Sequence, residues 1–276
     1  PIIYLVPEQM TFLSEYKLAR TPGLNGMISA QVYSFTRLAW RILQETGGQS
    51  RVHLSSSGIN MMIAKIIEEK KNDLKLFHRS VGKAGFIANV ERMLIELKRY
   101  CITPEMMKTS IRERLADEKD QSLKDKLHDL EIIYDGFETA LSGKYIDSED
   151  YLTLLAEKID ESAYLEDAEV YIDGFYNLTP QELSIVDQLM KKCRKVTMAL
   201  TLDKPFREGP PNDFYLFGMS ARLYDKVYRL ALNSGIKIEE DLFLDDRERF
   251  EESGSLGHLE KNFNIRPAAA YPGKSD

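Results

Sequence analysis

The chain has 276 residues, of which 43% are hydrophobic and 29% are charged, and its net charge is −7. This balance is typical of a globular protein with one large or two ordinary domains. No apolar run approaches a membrane span, and the apolar start is too short and lacks the basic flank of a signal peptide. The two cysteines form no Cys-x-x-Cys pair, so the sequence predicts neither a zinc site nor a disulfide framework, and a cytoplasmic location fits. The negative charge argues against a protein coated in positive charge but leaves room for a local nucleic-acid groove.

The first elements alternate between strand and helix. A strand at Ile2–Val6 leads to a helix around Thr11–Arg20, and a second strand at Ile28–Tyr33 leads to a helix that Ser34 caps and that runs to about Glu45. The chain starts on its first strand without Met or a lead-in segment. We therefore interpret it as part of a larger protein whose missing part would hold any phosphate-loop strand.

The middle of the chain, from Leu54 to about Ala163, is predicted to be helical throughout. Apolar residues recur there at spacings of three and four, as on the buried face of a helix. Three such stripes contain, in turn, Met61, Met62, Ile66 and Ile67; Phe86, Val90, Met93, Leu94 and Leu97; and Leu123, Leu127, Leu130, Ile133, Tyr134 and Phe137. We interpret residues 54–163 as an all-helical subdomain inserted into an α/β domain.

Strands return after this helical stretch. They are predicted at Glu169–Asp173 and Val196–Leu200, on either side of a helix at Pro180–Lys192, and a strand–helix–strand unit is predicted over Phe214–Leu244. Strands that alternate with helices favour a mainly parallel sheet. The predicted organisation is therefore an α/β core of residues 1–53 and 164–245, the helical insert, and a linker or tail over 246–276.

The strand that ends at Asp173 has the pattern of a Walker B strand, a hydrophobic strand that ends on a carboxylate. In an ATP-driven motor a Glu normally follows this Asp and activates water, but Gly174 stands there. The chain also contains no Gly-x-x-x-x-Gly-Lys-Ser/Thr phosphate loop. The sequence thus predicts a helicase-like domain that does not run the motor, and Asp173 is expected to hold a loop through backbone N–H groups rather than to bind a metal.

The helix after Ser34 has two contrasting faces. On a helical wheel the apolar side contains Phe35, Leu38, Ala39, Ile42 and Leu43, and the polar side contains Arg37, Trp40, Arg41 and Gln44. Trp40 is the only tryptophan. An exposed indole between arginines suits stacking on a nucleic-acid base, although another part of the same protein could equally cover it.

Three other groups of residues have competing interpretations. Gln9 and Thr11 follow the first strand and could contact unpaired base edges, or Thr11 could cap the next helix. A cluster of carboxylates suggests metal ligands: Asp147, Glu149 and Asp150. We favour a helix cap followed by an acidic first turn. We interpret Lys98–Arg99 as the solvated end of a helix rather than as a binding surface for the phosphates of a nucleic acid.

The order and spacing of several motifs resemble the N-terminal helicase-like region of the AddB family of the Firmicute type, and the resemblance covers most of the chain. The segments that carry it are Tyr4–Phe12, Ala30–Trp40, Gly143–Leu152, Val170–Phe175, Thr179–Glu182, His258–Lys261 and Arg266–Pro267.

This resemblance implies a parallel sheet of the superfamily-one helicase type, which is related to P-loop NTPases. AddB resembles a helicase but leaves the motor to its heterodimer partner AddA, and it scans the single strand ending 3′ for the recombination hotspot Chi. Family members begin with a phosphate loop just upstream, so ATP and Mg²⁺ belong to the full protein. Their nuclease domain and the cysteines of a 4Fe–4S cluster lie far downstream, so no cofactor is expected in this chain.

The residues that match the family's Chi-reading positions are Gln9, Thr11, Phe35, Arg37 and Trp40, with Phe175 or Tyr176 as an aromatic after the degenerate Walker B strand. Core packing remains an equal alternative for Phe35, which lies on the apolar side of its helix. Three functions stay open: a DNA-recognition module without ATP turnover, an active ATPase whose phosphate loop lies upstream, and a scaffold that only holds the partner motor.

Overall fold

The structure is a computed structural model that describes residues 1–23, 26–48, 51–80, 83, 85–114, 120–212, 214–244, 250, 253–263 and 265–273. It divides into two compact units, Pro1–Ile238 and Glu239–Asp276. None of the described helices combines the length and the apolar character that crossing a membrane requires.

The larger unit is built on a four-stranded sheet in which every pairing is parallel. Its strands, in the order in which they lie side by side, are β2 (Ala30–Tyr33), β1 (Ile2–Leu5), β5 (Glu169–Ile172) and β6 (Lys195–Met198). Alternate residues of the two central strands point into the core and are fully buried, as a pleated strand requires. The prediction of an α/β fold with a parallel sheet is confirmed.

Helices account for most of the remaining chain. They are α1 (Thr11–Ala19), α2 (Phe35–Thr46), α3 (Ser56–Glu69), α4 (Phe86–Arg99), α5 (Pro104–Arg114), α6 (Gln121–Leu141), α7 (Ser148–Lys158), α8 (Ala163–Glu166), α9 (Pro180–Lys192), α10 (Gly218–Asn233) and α11 (Gly254–Asn262). Short 3-10 helices lie at Glu8–Met10, Phe77–Arg79 and Ile159–Glu161. The bounds of α9 agree with the prediction because Thr179 and Glu182 form a capping box and Pro180 occupies the first turn.

Two hydrophobic cores lie within the larger unit. One joins the sheet to α2, α7, α9 and α10, and the other joins α3, α4, α5 and α6. The second core matches the predicted helical stretch, but α7 packs on α2 and α9 and belongs to the first core. The predicted boundary of the insert at residue 163 is untested and stays a prediction.

Two details of the helical stretch differ from the prediction. It is not helical throughout, because β4 (Tyr145–Ile146) pairs in parallel with β3 (Val52–His53). Three residues of the predicted apolar stripes, Met61, Met93 and Leu123, are exposed, while Ile59 and Ile63 complete the buried face of α3. A methionine at position 61 fits the apolar spacing in the sequence. The face of α3 that packs on α4 and α6, however, contains Ile59 and Ile63 instead.

The predicted strand–helix–strand unit over Phe214–Leu244 is wrong in its strands. Residues 214–244 contain one helix, α10, and no strand flanks it in this described range. The apolar residues at positions 236, 238 and 242–244 are compatible with a strand, but a strand also needs a neighbour to hydrogen-bond. In the smaller unit α11 lies within the segment predicted as linker or tail, and Ser253 caps it.

Candidate nucleic-acid interface

The carboxyl ends of three neighbouring strands bring separate segments of the chain together. The 3-10 helix Glu8–Met10 follows β1, Ser34 follows β2 and precedes α2, and a loop starting at Asp173 follows β5. Because the strands are parallel, all three segments lie at one edge of the sheet, where open α/β sheets bind ligands. The Ser34 hydroxyl donates to the Glu8 carboxylate, which joins two of the segments directly.

The polar and apolar faces of α2 are those predicted. Ser34 caps the helix, its Oγ accepting the Arg37 N–H at 3.2 Å. The five residues of the apolar side are all buried: Phe35, Leu38, Ala39, Ile42 and Leu43. Arg37 and Trp40 are exposed, so α2 presents a cation about one turn, and an indole nearly two turns, from the sheet edge.

Trp40 is partly covered by its own protein and partly open. Its ring stacks on Tyr151 of α7, with ring centroids 5.2 Å apart and an interplanar angle of 29°. The side chain nevertheless remains 44% exposed. The interpretation that another part of the protein covers the indole is therefore confirmed in part, by Tyr151 of α7, while contact of the exposed part of the ring with a base stays a prediction.

Arg37 is paired at the surface. Its guanidinium lies 3.2 Å from the Glu15 carboxylate of α1, and the two side chains are 48% and 41% exposed. An ion pair so exposed contributes at most about 1 kcal/mol, since water screens it. A phosphate could therefore compete with Glu15 for Arg37 at little cost.

The aromatic residues at the sheet edge divide into buried and exposed rings. Phe35 is buried in the core and contacts Phe175 edge to face at 5.5 Å, which makes it a packing residue. Phe175 is half-buried against the same core. Tyr176 is 62% exposed, so of the two aromatic candidates after β5 it is the one accessible to a ligand.

Gln9 and Thr11 differ in accessibility. Gln9 is exposed on the 3-10 helix, whereas Thr11 is buried and its hydroxyl donates to the Glu8 carbonyl at 3.0 Å. The expectation that Thr11 caps the next helix is wrong: Met10 holds the N-cap position of α1 and makes no side-chain cap bond. The 3-10 helix runs directly into α1, so Thr11 already has helical geometry.

Asp173 serves the local structure of its loop. It accepts the Gly174 N–H at 2.7 Å and the Tyr4 hydroxyl at 2.5 Å. Burial raises the pKa of Tyr4 to about 12, and the Asp173 carboxylate adds to this effect. The role expected for Asp173, holding the loop through a backbone N–H, agrees with these contacts, and Tyr4 adds a side-chain donor.

Gly174 has a backbone conformation that side chains rarely adopt. Its φ is +80°, and a Cβ placed there would lie 2.9 Å from Met10 Sδ and 3.2 Å from Pro7 Cδ. A Glu at this position, as in a working Walker B strand, would need both the backbone and Met10 to move. In the chain as folded, Asp173 is engaged by the Tyr4 hydroxyl and the Gly174 N–H, and no carboxylate follows it to activate water for ATP hydrolysis.

The donor set for an iron–sulfur cluster is also missing from this chain. Such a cluster takes four cysteine thiolates, and the chain has two cysteines, Cys101 exposed after α4 and Cys193 buried after α9. Among the described residues, no group of three or more His, Cys, Asp or Glu side chains is arranged to hold a metal ion.

The acidic cluster around Asp147 proves to be structural. Asp147 and Asp150 form a capping box at the start of α7. The Lys98 ammonium lies 2.6 Å from Asp147, 2.7 Å from Asp150 and 2.9 Å from Glu138. Burial alone would lower the pKa of Lys98, but these carboxylates outweigh it, so the pKa is raised. The expectation that Lys98 lies at a solvated helix end is wrong.

Sequence reasoning missed the outward face of α1. Phe12 and Tyr16 are exposed there, although both are large aromatic residues. Their spacing of four residues, with Thr11 and Ser14 on the opposite side, could have revealed this inverted polarity on a helical wheel.

Comparison with known proteins places these features in a family. The family model described as "ADDB, N-terminal" matches residues 1–260. The chain is 49% identical over 279 residues to a Geobacillus kaustophilus protein whose name makes it a subunit of an ATP-dependent helicase/deoxyribonuclease, and 46% identical over 280 residues to the Bacillus subtilis protein of the same name. All of this chain is covered in both comparisons, but it spans only 24% of each relative. The chain therefore belongs to the AddB N-terminal family.

Proposed function

We propose that this chain is the non-motor, helicase-like part of a longer helicase–nuclease subunit that binds single-stranded DNA and recognises Chi during recombinational repair of double-strand breaks. The relatives are named as a subunit of an ATP-dependent helicase/deoxyribonuclease, which supports this setting. The observation that carries the proposal is the placement of four exposed side chains on the segments that follow the carboxyl ends of three neighbouring parallel strands: Gln9, Arg37, Trp40 and Tyr176.

These four side chains supply the interactions that single-strand recognition uses. Trp40 and Tyr176 offer ring faces to bases, and stacking of this kind contributes about 1–3 kcal/mol per base. Arg37 can bind a phosphate or the edge of a guanine, and the Gln9 amide can both donate to and accept from unpaired base edges. In this account the sheet edge is stabilised by buried or half-buried residues that do not contact DNA: Phe35, Phe175 and Thr11.

The sheet is proposed to be of the superfamily-one helicase type, without ATP turnover in this part of the protein. The conformation of Gly174 supports this, since the position suits glycine and not the catalytic Glu of a motor. ATP hydrolysis is then left to a partner, which we propose is AddA in a cytoplasmic heterodimer. A pure scaffold role is the second candidate, favoured by the word "subunit" in the names of the relatives.

Binding can be tested by the anisotropy of fluorescein-labelled oligonucleotides. We expect the chain to prefer single strands to duplexes, with an affinity that falls as salt rises because phosphate contacts release counterions. Arg37→Ala should weaken binding about tenfold, the loss of one strong contact. Lys65→Ala, which removes an exposed cation from α3, is the matched control and should change the affinity little.

Sequence recognition needs a separate experiment. Selection from a pool of randomised single strands should enrich one short motif, and Gln9→Ala should relax its definition at one or two positions. No affinity for any strand, both for this chain and for the full-length protein in complex with its partner, would favour the scaffold.

A further inference from the structure

Helix α1 has its polarity reversed relative to an ordinary surface helix. Its two buried residues, Thr11 and Ser14, are each 7% exposed and carry hydroxyls. Phe12 is 77% exposed and Tyr16 is 49% exposed. Large apolar rings normally face a core, so a helix that points them outward indicates a surface that meets a binding partner.

The outward residues of α1 form a ladder with a cation at its end. The Phe12 and Tyr16 rings have centroids 6.4 Å apart and an interplanar angle of 24°. The Arg20 guanidinium lies over the Tyr16 ring, with Cζ 5.1 Å from its centroid. We call Phe12, Tyr16 and Arg20 the α1 ladder.

The α1 ladder is continuous with the proposed DNA interface. It begins three residues after Gln9, and Glu15 of the same helix forms the ion pair with Arg37 of α2. A DNA strand that is bound by Gln9 and Arg37 would therefore reach α1 next along its path. Lys17 is also exposed on α1, and its positive charge offsets the negative charge of Glu15 on the same helix.

We propose that the α1 ladder binds single-stranded DNA beyond the Chi-reading edge, with bases stacked on Phe12 and Tyr16 and a phosphate held by Arg20. This inference rests on the proposed function and extends it with a second segment of the DNA path. Two near-parallel rings that end in a guanidinium match the combination of stacking platform and positive charge with which proteins hold single strands. Contacts of this kind tolerate any base, so the ladder contributes affinity without sequence preference.

Double variants test the stacking role in the full-length protein in complex with its partner. Phe12→Ala/Tyr16→Ala should weaken single-strand binding by about tenfold or more, since each ring serves one base. Phe12→Leu/Tyr16→Leu should lose nearly as much, because leucine keeps apolar area but offers no ring face. Phe214→Ala, which removes another fully exposed ring, is the matched control and should leave binding unchanged. All these side chains are exposed, so thermal melts should show the variants folded.

The experiment can disprove the α1 ladder proposal without disproving the proposed function. If Arg37→Ala weakens binding but both double variants bind like the unaltered protein, the ladder proposal is overturned and the proposed function stands. If no variant or unaltered protein binds single strands, both fail together. If the alanine variant weakens association with the partner protein while the leucine variant does not, the face is a protein interface, which also overturns the proposal.

A crosslink gives a direct readout. Strands with 5-iodouracil placed at successive positions, irradiated in the complex and digested, should yield peptides modified at Phe12 or Tyr16. The same strands should crosslink Trp40 or Tyr176 from a different position along the DNA. Crosslinks to the second pair and none to the first would contradict the ladder.

Discussion

At the residue scale, the left-handed conformation of Gly174 decides which side chains the position after Asp173 can hold. We expect Gly174→Ala to lower the free energy of unfolding by more than the roughly 1–2 kcal/mol that a left-handed conformation costs an L-residue, because its Cβ also meets Met10. Urea denaturation measures this difference. Gly174→Glu should in addition produce no DNA-stimulated ATP hydrolysis.

Gly143 provides the matched control for this prediction. Its φ is +73°, but a Cβ there would meet nothing within 4 Å, so Gly143→Ala should show the conformational cost alone. Equal losses in the two alanine variants would mean that Met10 yields freely. The contact with Met10 would then contribute nothing to the exclusion of a side chain at position 174.

Burial of Tyr4, together with its hydrogen bond to Asp173, predicts a change at alkaline pH. The folded-state pKa of Tyr4 is about 12, above its ordinary value of 10.0, so the folded state favours the protonated phenol. Its contribution to stability is fully present below pH 10 and is lost as the pH rises through about 12. Absorbance titration at about 295 nm of the protein and of Tyr4→Phe should differ by one phenol that ionises late; a difference centred near the ordinary pKa of tyrosine, about 10, would contradict this.

Residue-level prediction from sequence succeeded where local periodicity carries the information. The wheel of α2 places Phe35 inside and Arg37 and Trp40 outside because all three lie on one regular helix. Local periodicity could not show that Lys98 of α4 is buried. Its carboxylate partners lie 40 to 52 residues further along the chain and contact it only through tertiary packing.

At the scale of elements, Lys98 joins three helices. Its ammonium is shared by Glu138 of α6 and by Asp147 and Asp150 at the start of α7, so it ties the helical core to the sheet-side core. Lys98→Met leaves Asp147 buried, and Asp150 and Glu138 partly buried, without their cation. It should lower the free energy of unfolding by about 3–5 kcal/mol in urea denaturation.

A second lysine calibrates this value. Lys65 of α3 is 74% exposed and pairs with Glu69 one turn away, so Lys65→Met should cost no more than about 0.5 kcal/mol. Similar losses for the two variants would show that the buried carboxylates are neutralised by protonation rather than held by Lys98.

Elements with their own start signals could be predicted closely, and elements defined by distant neighbours could not. The capping residues Ser34 and Thr179 fix the beginnings of α2 and α9. By contrast, β3 and β4 are two residues long and form only by pairing with each other, between residues that are 93 positions apart in the sequence. No periodicity is measurable over two residues.

At the scale of the whole molecule, the chain combines a parallel sheet with a second, all-helical core. Alternation of strands and helices was sufficient to predict the sheet, because a parallel strand needs a crossover connection. Whether α7 is counted with the insert or with the sheet domain could not be predicted, since its packing on α2 depends on tertiary contacts such as that of Tyr151 with Trp40.

The central claim, that DNA is held at the carboxyl edge of this sheet, is tested most directly by Trp40 fluorescence. Trp40 is the only tryptophan, so its emission reports on one place in the molecule. Titration with single strands should quench the emission, duplexes of equal length should quench it less, and Arg37→Ala should shift the titration to higher DNA concentration. Saturated DNA binding, measured in parallel by anisotropy, with unchanged Trp40 emission would place the DNA elsewhere and contradict the account.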